Sequence, residues 1–332
     1  MRRPGPFPEH LKGRVFSRAQ AAAAGLSASR LRSRDVRRVR HGWYRWVGLT
    51  PRSIPPLVAS AVEAARAEEI ARLQEICTRY PDAVVTGESV ARLQRWPLPA
   101  DVATRVRPTV LRPRGRRAVP DEDVVTRTVD PSRVIVRRPR PHSVPEASFP
   151  DAWFHLAPVL EPGWLVTVGD HLARRSDTRG IRALAGREDL HRALERHRGE
   201  TGARRARQAL AVVREGSDSP PETELRLALV AAGLPEPDLQ IELWDADYSI
   251  FHPASADLGY WRWKIAVQYE GKGHDGAAQV GKDTRRDAVF QRAGWIVIRV
   301  AGPDRARGFV ETVELVRRAI AQRQAYAPAQ PW

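Results

Sequence analysis

Cysteine is nearly missing from this sequence of 332 residues: Cys77 stands alone. No intrachain disulfide can form, and a zinc site built from several thiolates is excluded. No apolar run approaches the roughly eighteen residues needed to span a bilayer. The opening segment MRRPGPFPEH lacks the hydrophobic stretch of a secretory signal. The expectation is a soluble, cytoplasmic protein without a membrane partner. Lysine is scarce as well. Only Lys12, Lys264, Lys272 and Lys282 occur among 55 basic residues, the others being arginine. Where arginine serves almost everywhere, a retained lysine carries slightly more meaning as an amine of tunable pKa.

What is abundant is positive charge. The formal net charge is +16 and the apolar content 42%, which together indicate a folded chain with a polyanionic partner. The excess is uneven. Residues 1–50 hold twelve basic residues against Glu9 and Asp35, a balance of +10, whereas residues 219–332 hold fourteen basic and fifteen acidic ones, a balance of −1. Affinity for nucleic acid is therefore expected to come mainly from the front of the molecule.

From Phe16 onward the text reads as helix, short turn, helix and β-ribbon. Ser17 caps a helix through Arg18–Ala24 that stops at Gly25. A second short helix is expected over Ser27–Arg34. Two β-prone runs, VRRVR and WYRWV, flank the turn His41-Gly42. That is the layout of a winged helix-turn-helix over residues 1–50. Arg30, Arg32 and Arg34 would lie on the second helix and Arg37, Arg38, Arg40 and Arg45 on the wing, all positioned to contact duplex DNA. A small basic domain with a solvated charged face is the plainer alternative.

The middle region, residues 51–215, reads as small α+β. A helix is expected over 55–78 and a strand turning into a helix over 83–95. The segment 105–150 holds short strands such as Val134–Val136, and helices follow over 163–176 and 187–214. Thr86-Gly87-Glu88-Ser89 is too short for a phosphate loop and reads as a packed turn. Residues 215–221 (EGSDSPP) read as a linker.

From Ser219 to about residue 325 the expected order is helix, β-meander, helix, strand, helix. Ser219 caps a helix that starts Pro220-Pro221-Glu222. Strands are expected over Leu239–Leu243, Tyr248–Phe251 leading into Ala256–Tyr260, and Trp263–Glu270. A helix over Ala277–Ala293, a strand over Trp295–Val300 and a helix over Gly308–Gln322 complete it. Asp257 enters one strand, while Gln268 and Glu270 share a face of the next because strand side chains alternate. Gly271-Lys272-Gly273-His274 breaks that strand. Asp257 with Glu270-Gly271-Lys272 is a D…ExK pattern. Two carboxylates on adjacent strands can hold Mg²⁺ or Mn²⁺, and a lysine beside them can orient or deprotonate water for phosphodiester hydrolysis. Gln279, Asp283 and Arg286 recur on one face of the following helix. The plainer readings are a surface Lys272, a loop brace at His274, a helix salt bridge for Asp283 and Arg286, and packing for Trp261 and Trp263.

The pieces FSRAQAAAAGLSASRLRSRDVRRVRHGWYRW, AVVTGESVARL and GWLVTVGDHLARR resemble the AbiEi-type antitoxin family of actinobacteria. That resemblance implies a winged-helix DNA-binding start and, in some relatives, transcriptional autoregulation or phage defence. The pieces SPPETELRLALVAAGLPEP, ADLGY, AVQYEGKGH and KDTRRDAVFQRAGWIVIRV resemble the endonuclease-like domain related to very-short-patch repair nucleases. This second resemblance implies a restriction-endonuclease-like fold of the PD-(D/E)xK superfamily over residues 219–325. It also implies a site lined by Glu222, Asp257, Gln268, Glu270, His274, Asp283 and Arg286, the last two counted with the DNA-contacting set.

Gln268 departs from that family, whose relatives carry an acid there. In the family register Glu270 then falls on the lysine-like position, and the literal ExK match is shifted by two. Either Glu270 serves with Asp257 as metal ligand, assisted by Lys272, or the domain is quiet. The expected function is a metal-dependent DNA endonuclease or nickase of α+β architecture. The alternative is an antitoxin-like DNA-binding regulator with a degenerate nuclease fold.

Overall fold

The computed structural model describes residues 7–8, 11, 15–33, 36–46, 61–105, 107–139, 144–176, 180–270 and 277–325. The protein is mixed α and β and divides into two compact units, residues 1–160 with 190–206 and residues 161–189 with 207–332.

The first unit opens on β1 (Val15–Ser17) and α1 (Arg18–Ala23). Ser17 and Gln20 form a capping box: Gln20 N donates to Ser17 Oγ at 3.1 Å and Ser17 N to Gln20 Oε1 at 2.7 Å, satisfying two orphan donors of the first turn. The hairpin β2 (Val36–Arg40) and β3 (Trp43–Trp46) forms around His41-Gly42, with Gly42 at φ +77°, and β1 joins it in the order β1-β3-β2. Phe7, Leu11, Phe16, Ala21, Leu31 and Val36 fill the small core beneath.

The helix expected over Ser27–Arg34 is instead a single 3-10 turn, Arg30–Arg32. Its serines explain the difference. Arg30 N donates to Ser27 Oγ at 3.1 Å, and the Ser33 hydroxyl bonds back to the Arg30 carbonyl. Such local bonds compete with helical ones, and Leu31 alone is buried in the turn.

Next come α2 (Ala61–Arg79), β4 (Val84–Val85), α3 (Gly87–Leu93), α4 (Ala100–Thr104), β5 (Thr109–Pro113), β6 (Val125–Val129), β7 (Val136–Arg137), β8 (Glu146–Ala147) and α5 (Phe149–Leu156). The five strands order as β6-β5-β4-β8-β7. The Thr86–Ser89 segment, expected as a packed turn, is instead the start of α3, with Thr86 just before its first residue; there Ser89 Oγ donates to buried Glu69 at 2.6 Å and accepts from Thr109 N at 2.8 Å. In chain order α6 (Pro162–Ala173), α7 (Arg187–Arg196) and α8 (Ala203–Val212) follow. The helix expected over 187–214 is thus two, parted by a turn in which Gly199 and Gly202 adopt positive φ.

The second unit is built on α9 (Pro220–Ala231), β9 (Asp238–Leu243), β10 (Ala254–Tyr260), β11 (Ile265–Tyr269), α10 (Ala277–Arg292), β12 (Ile296–Val300), α11 (Gly302–Ala306) and α12 (Val310–Ala325). Its sheet runs β12-β11-β10-β9, with β9, β10 and β11 antiparallel and β12 parallel to β11. The parallel pair needs a crossover, and α10 supplies it. Two apolar clusters pack in this unit. Leu225, Leu229, Leu258, Val267, Ile298 and Val316 form one, and Ile241, Ala256, Ala266, Val289, Phe290 and Trp295 the other.

Two expected strand segments do not form. Residues 246–248 are a turn, because the Asp245 carboxylate accepts from Asp247 N at 2.9 Å and Tyr248 N at 3.1 Å. Trp261–Trp263 is a 3-10 turn ending at left-handed Lys264, which delays β11 to Ile265.

Residues 215–221, read as a linker, lie inside the second unit. There α6 is bound to α9 by a buried ion pair: Arg226, fully buried, donates through Nη2 to Asp170 Oδ2 at 2.8 Å. Asp170 also accepts from Arg214 N at 2.8 Å and Thr223 Oγ1 at 2.9 Å, and Arg226 Nη1 reaches Glu236 at 2.8 Å. Among the described residues no helix is long and apolar enough to cross a membrane.

Candidate active site

Two local irregularities shape the neighbourhood of Asp257. Gly259, two residues on, faces a backbone close enough that an added Cβ would lie 2.4 Å from Ile265 O and 3.0 Å from Ile241 Cγ1. Only glycine lets β10 and β11 approach this closely. Across from Asp257, Gln240 takes φ +52°, and the β9–β10 register skips that pair. Leu239 and Leu258 pack in one core and Ile241 and Ala256 in the other. Residues two apart on a regular strand share a face, so both strands turn over at Gln240 and Asp257.

Asp257 stands at the end of the β10–β11 ladder. Its Oδ2 accepts from Tyr269 N at 2.7 Å, where a strand partner would otherwise be. Glu222, in the first turn of α9, is the carboxylate beside it. It is 6% exposed and accepts from Asp218 N at 2.8 Å and Ser219 Oγ at 2.7 Å, with Gln240 Nε2 at 3.5 Å. Burial first, and then the charge of Asp257, push its carboxyl up to about 8. Two carboxylates that cannot comfortably ionise together hold a proton between them or surround a cation.

The remaining expected residues are engaged differently. Gln268 is 2% exposed; its Oε1 accepts from Arg286 Nη2, while its Nε2 has no hydrogen-bond partner among the described residues. Glu270 is half exposed, with Oε1 2.9 Å from Arg299 Nη1. Arg299 lies opposite Gln268 in the parallel register and also grips Asp287 at 2.5 Å. Arg286 lies 3.8 Å from Asp287 and 3.4 Å from Asp283. Glu270, Arg299, Asp287, Arg286 and Asp283 thus form one chain of alternating charge running past Gln268.

Asp287 and Arg299 are site residues that sequence reasoning passes over. A signal for Arg299 exists, as a lone charge in the apolar strand IVIRV. Asp287 follows Asp283 by one helical turn and is legible only through that spacing.

Lys272, His274 and Arg34 lie outside the described residues. Gln279 lies on α10, and Arg37, Arg40 and Arg45 on β2 and β3, their side chains outside the described part of the structure. Arg32 and Arg38 are exposed, the latter with Nη2 2.8 Å from His41 Nδ1. Arg30 folds back over the Phe7 ring, 5.2 Å from its centroid, and bonds Ser33 Oγ.

No family model matches this chain, and no solved structure matches it. It is similar to an uncharacterized protein from each of two strains of Mycobacterium tuberculosis, 30% identical over 126 residues, which is 36% of this chain. The chain spans 43% of the length of these curated relatives, less than half, and their names state no activity.

Proposed function

We propose that the second unit carries a phosphodiester-hydrolysing site of the endonuclease type, acting on duplex DNA held mainly by the basic N-terminal region. The observation that carries this reading is the Glu222–Asp257 pair, two neighbouring carboxylates at the open end of a strand ladder, Glu222 raised by burial first and then by the charge of Asp257. Their oxygens fit a hard divalent cation, which would relieve the repulsion between them. When bound there, Mg²⁺ or Mn²⁺ would neutralise charge developing on the phosphate and lower the pKa of a water molecule. Asp257 does double duty, since the carboxylate that would face the cation also fixes β11 through Tyr269 N. Glu222, held by Ser219 Oγ and the Asp218 amide, would be the second carboxylate to hold that cation. What supports this reading in the fold is the mixed sheet with its α10 crossover in the second unit and the capped helix with its hairpin at the start of the first.

A second reading is favoured by a specific observation. Arginines hold the side-chain oxygen of Gln268 and one of the two carboxylate oxygens of Glu270, so both groups already face positive charge in this arrangement. On that reading the chain is an antitoxin-like DNA-binding regulator whose nuclease fold serves binding alone.

Supercoiled plasmid incubated with Mg²⁺ or Mn²⁺ separates the two. Nicking by the wild type that is lost in Asp257→Ala, with DNA binding retained, supports the nuclease. Binding without nicking at either metal favours the regulator.

A further inference from the structure

The first unit holds a second cluster of metal-ligating groups, far in sequence from Asp257. His155 on α5, His197 just after α7 and Glu200 in the turn before α8 bring one ligand atom each within 4.8 Å of one another. They are the only such trio among the described residues. Both imidazoles are deeply buried, and Glu200 is partly exposed.

The hydrogen bonding around His197 is what points to a cation. Asp151, fully buried, accepts from Ile135 N at 2.9 Å, Ser148 Oγ at 2.6 Å and Arg196 Nη2 at 2.6 Å, so its carboxylate is fixed as an acceptor. Its Oδ1 lies 3.1 Å from His197 Nε2, which must therefore carry the proton. The other ring nitrogen, Nδ1, faces Glu200 Oε2 at 3.2 Å. In the neutral ring that is a lone pair against a carboxylate oxygen, an arrangement needing a positive centre between them. The Phe154 ring, stacked on His197 with centroids 4.6 Å apart, prevents the imidazole from turning away. Thr86 Oγ1 takes Nδ1 of His155 at 2.8 Å, which leaves Nε2 for a ligand.

We propose that His155, His197 and Glu200 form a site for a divalent transition ion of the zinc class, with Asp151 orienting His197 from behind. Carboxylate, imidazole and metal in line is the usual outer-shell arrangement of such sites. Two nitrogens and one oxygen suit zinc better than magnesium. Tetrahedral zinc with bonds of about 2.0–2.1 Å spaces its ligand atoms by about 3.3 Å, and the His197–Glu200 pair already stands at 3.2 Å. Three protein ligands leave one position open. His155 and Glu200 both line a cavity of about 670 Å³ that Arg114, Arg127 and Arg133 also border, so the open position faces a basic chamber suited to an anionic ligand. The competing arrangement is a protonated His197 between two carboxylates, with no metal.

The test is zinc titration of the full chain by equilibrium dialysis, with excess Mg²⁺ present to occupy hard-oxygen sites, alongside Glu200→Gln. One equivalent is expected to bind, at least tenfold more weakly in the variant, whose folding is checked by circular dichroism. Cobalt(II) substitution of the wild type provides a readout that needs no variant. A strong visible absorption of four-coordinate cobalt is expected, whereas a weak six-coordinate spectrum overturns the assignment. No stoichiometric zinc in the wild type, or equal affinity in folded Glu200→Gln, also overturns it, leaving the imidazolium arrangement.

Discussion

Asp257 Oδ2 accepts the amide hydrogen of Tyr269 at 2.7 Å, so the carboxylate closes the ladder between β10 and β11 at the point where the strands part. Its neighbour Glu222 is raised to about 8, mainly by burial and then by Asp257. Between the ordinary glutamate value and about 8, the unfolded chain has lost this proton and the folded chain keeps it. The folded state binds more protons there, so this group makes stability fall as pH rises through that window. Glu222→Gln should flatten this part of the profile and raise the melting temperature at pH 8. Added Mg²⁺ should stabilise the wild type at pH 8 and leave the variant unchanged. Thermal melts from pH 5 to 9 with and without Mg²⁺ check both, and parallel profiles for the two proteins would remove Glu222 from the site.

Gln268→Glu and Glu270→Gln test whether these two positions face a metal. With Arg286 against position 268, a glutamate there should pair with the guanidinium, and Mn²⁺ binding by titration calorimetry should change less than threefold. Glu270→Gln should likewise leave Mn²⁺ binding near wild type, because Arg299 holds that carboxylate. A large gain from the first or loss from the second would mean that the arginines yield to the metal and that both positions face it.

Asp170→Ala removes the buried partner of the fully buried Arg226 guanidinium and leaves it only the partly exposed Glu236. Breaking a buried pair by removing one partner costs about 3–5 kcal/mol, so the second unit should unfold at markedly lower denaturant. Asp170→Leu combined with Arg226→Met should recover much of that loss. Urea titration followed by tryptophan fluorescence measures it, and a single variant as stable as wild type would contradict the burial of this pair.

Gly259→Ala places a methyl group 2.4 Å from Ile265 O. Overpacking of this kind costs about 1–3 kcal/mol, and because it forces β10 from β11 it should also reduce any activity that depends on Asp257. Chemical denaturation gives the first effect and plasmid nicking the second.

Arg32→Ala with Arg38→Ala should weaken duplex binding similarly on unrelated sequences. Each guanidinium withdrawn from a phosphate reduces the slope of log affinity against log salt by about 1. Fluorescence anisotropy at several salt concentrations reads this, and an unchanged slope would mean that neither arginine touches the DNA backbone.

Much of the second unit is legible in the sequence because its signals are local. Pro220-Pro221 after Ser219, the apolar run IAVQY and the strand IVIRV each carry their own period and punctuation. What is not legible depends on distant partners. Arg226 and Asp170 are 56 residues apart, and nothing in either segment announces that a helix upstream of the Ser-Pro stretch joins the unit downstream of it. The serines flanking Arg30 are readable as helix caps or as competitors with the helix, and the backbone bonds decide for the latter. Asp257, Glu222 and Arg286 can be found from the sequence, but which groups Arg286 and Arg299 hold cannot, since ion-pair choice depends on strand register.

The turnover of β9 and β10 at Gln240 means that Asp257 has a different environment on each side along its own strand. Ala256 answers to the packing of Phe290 and Trp295, Leu258 to that of Leu225 and Val316. A strand position whose two neighbours are anchored in different cores is held from both sides, and a change in either core reaches it. Repacking either core is therefore a way to move this carboxylate without touching any residue of the site.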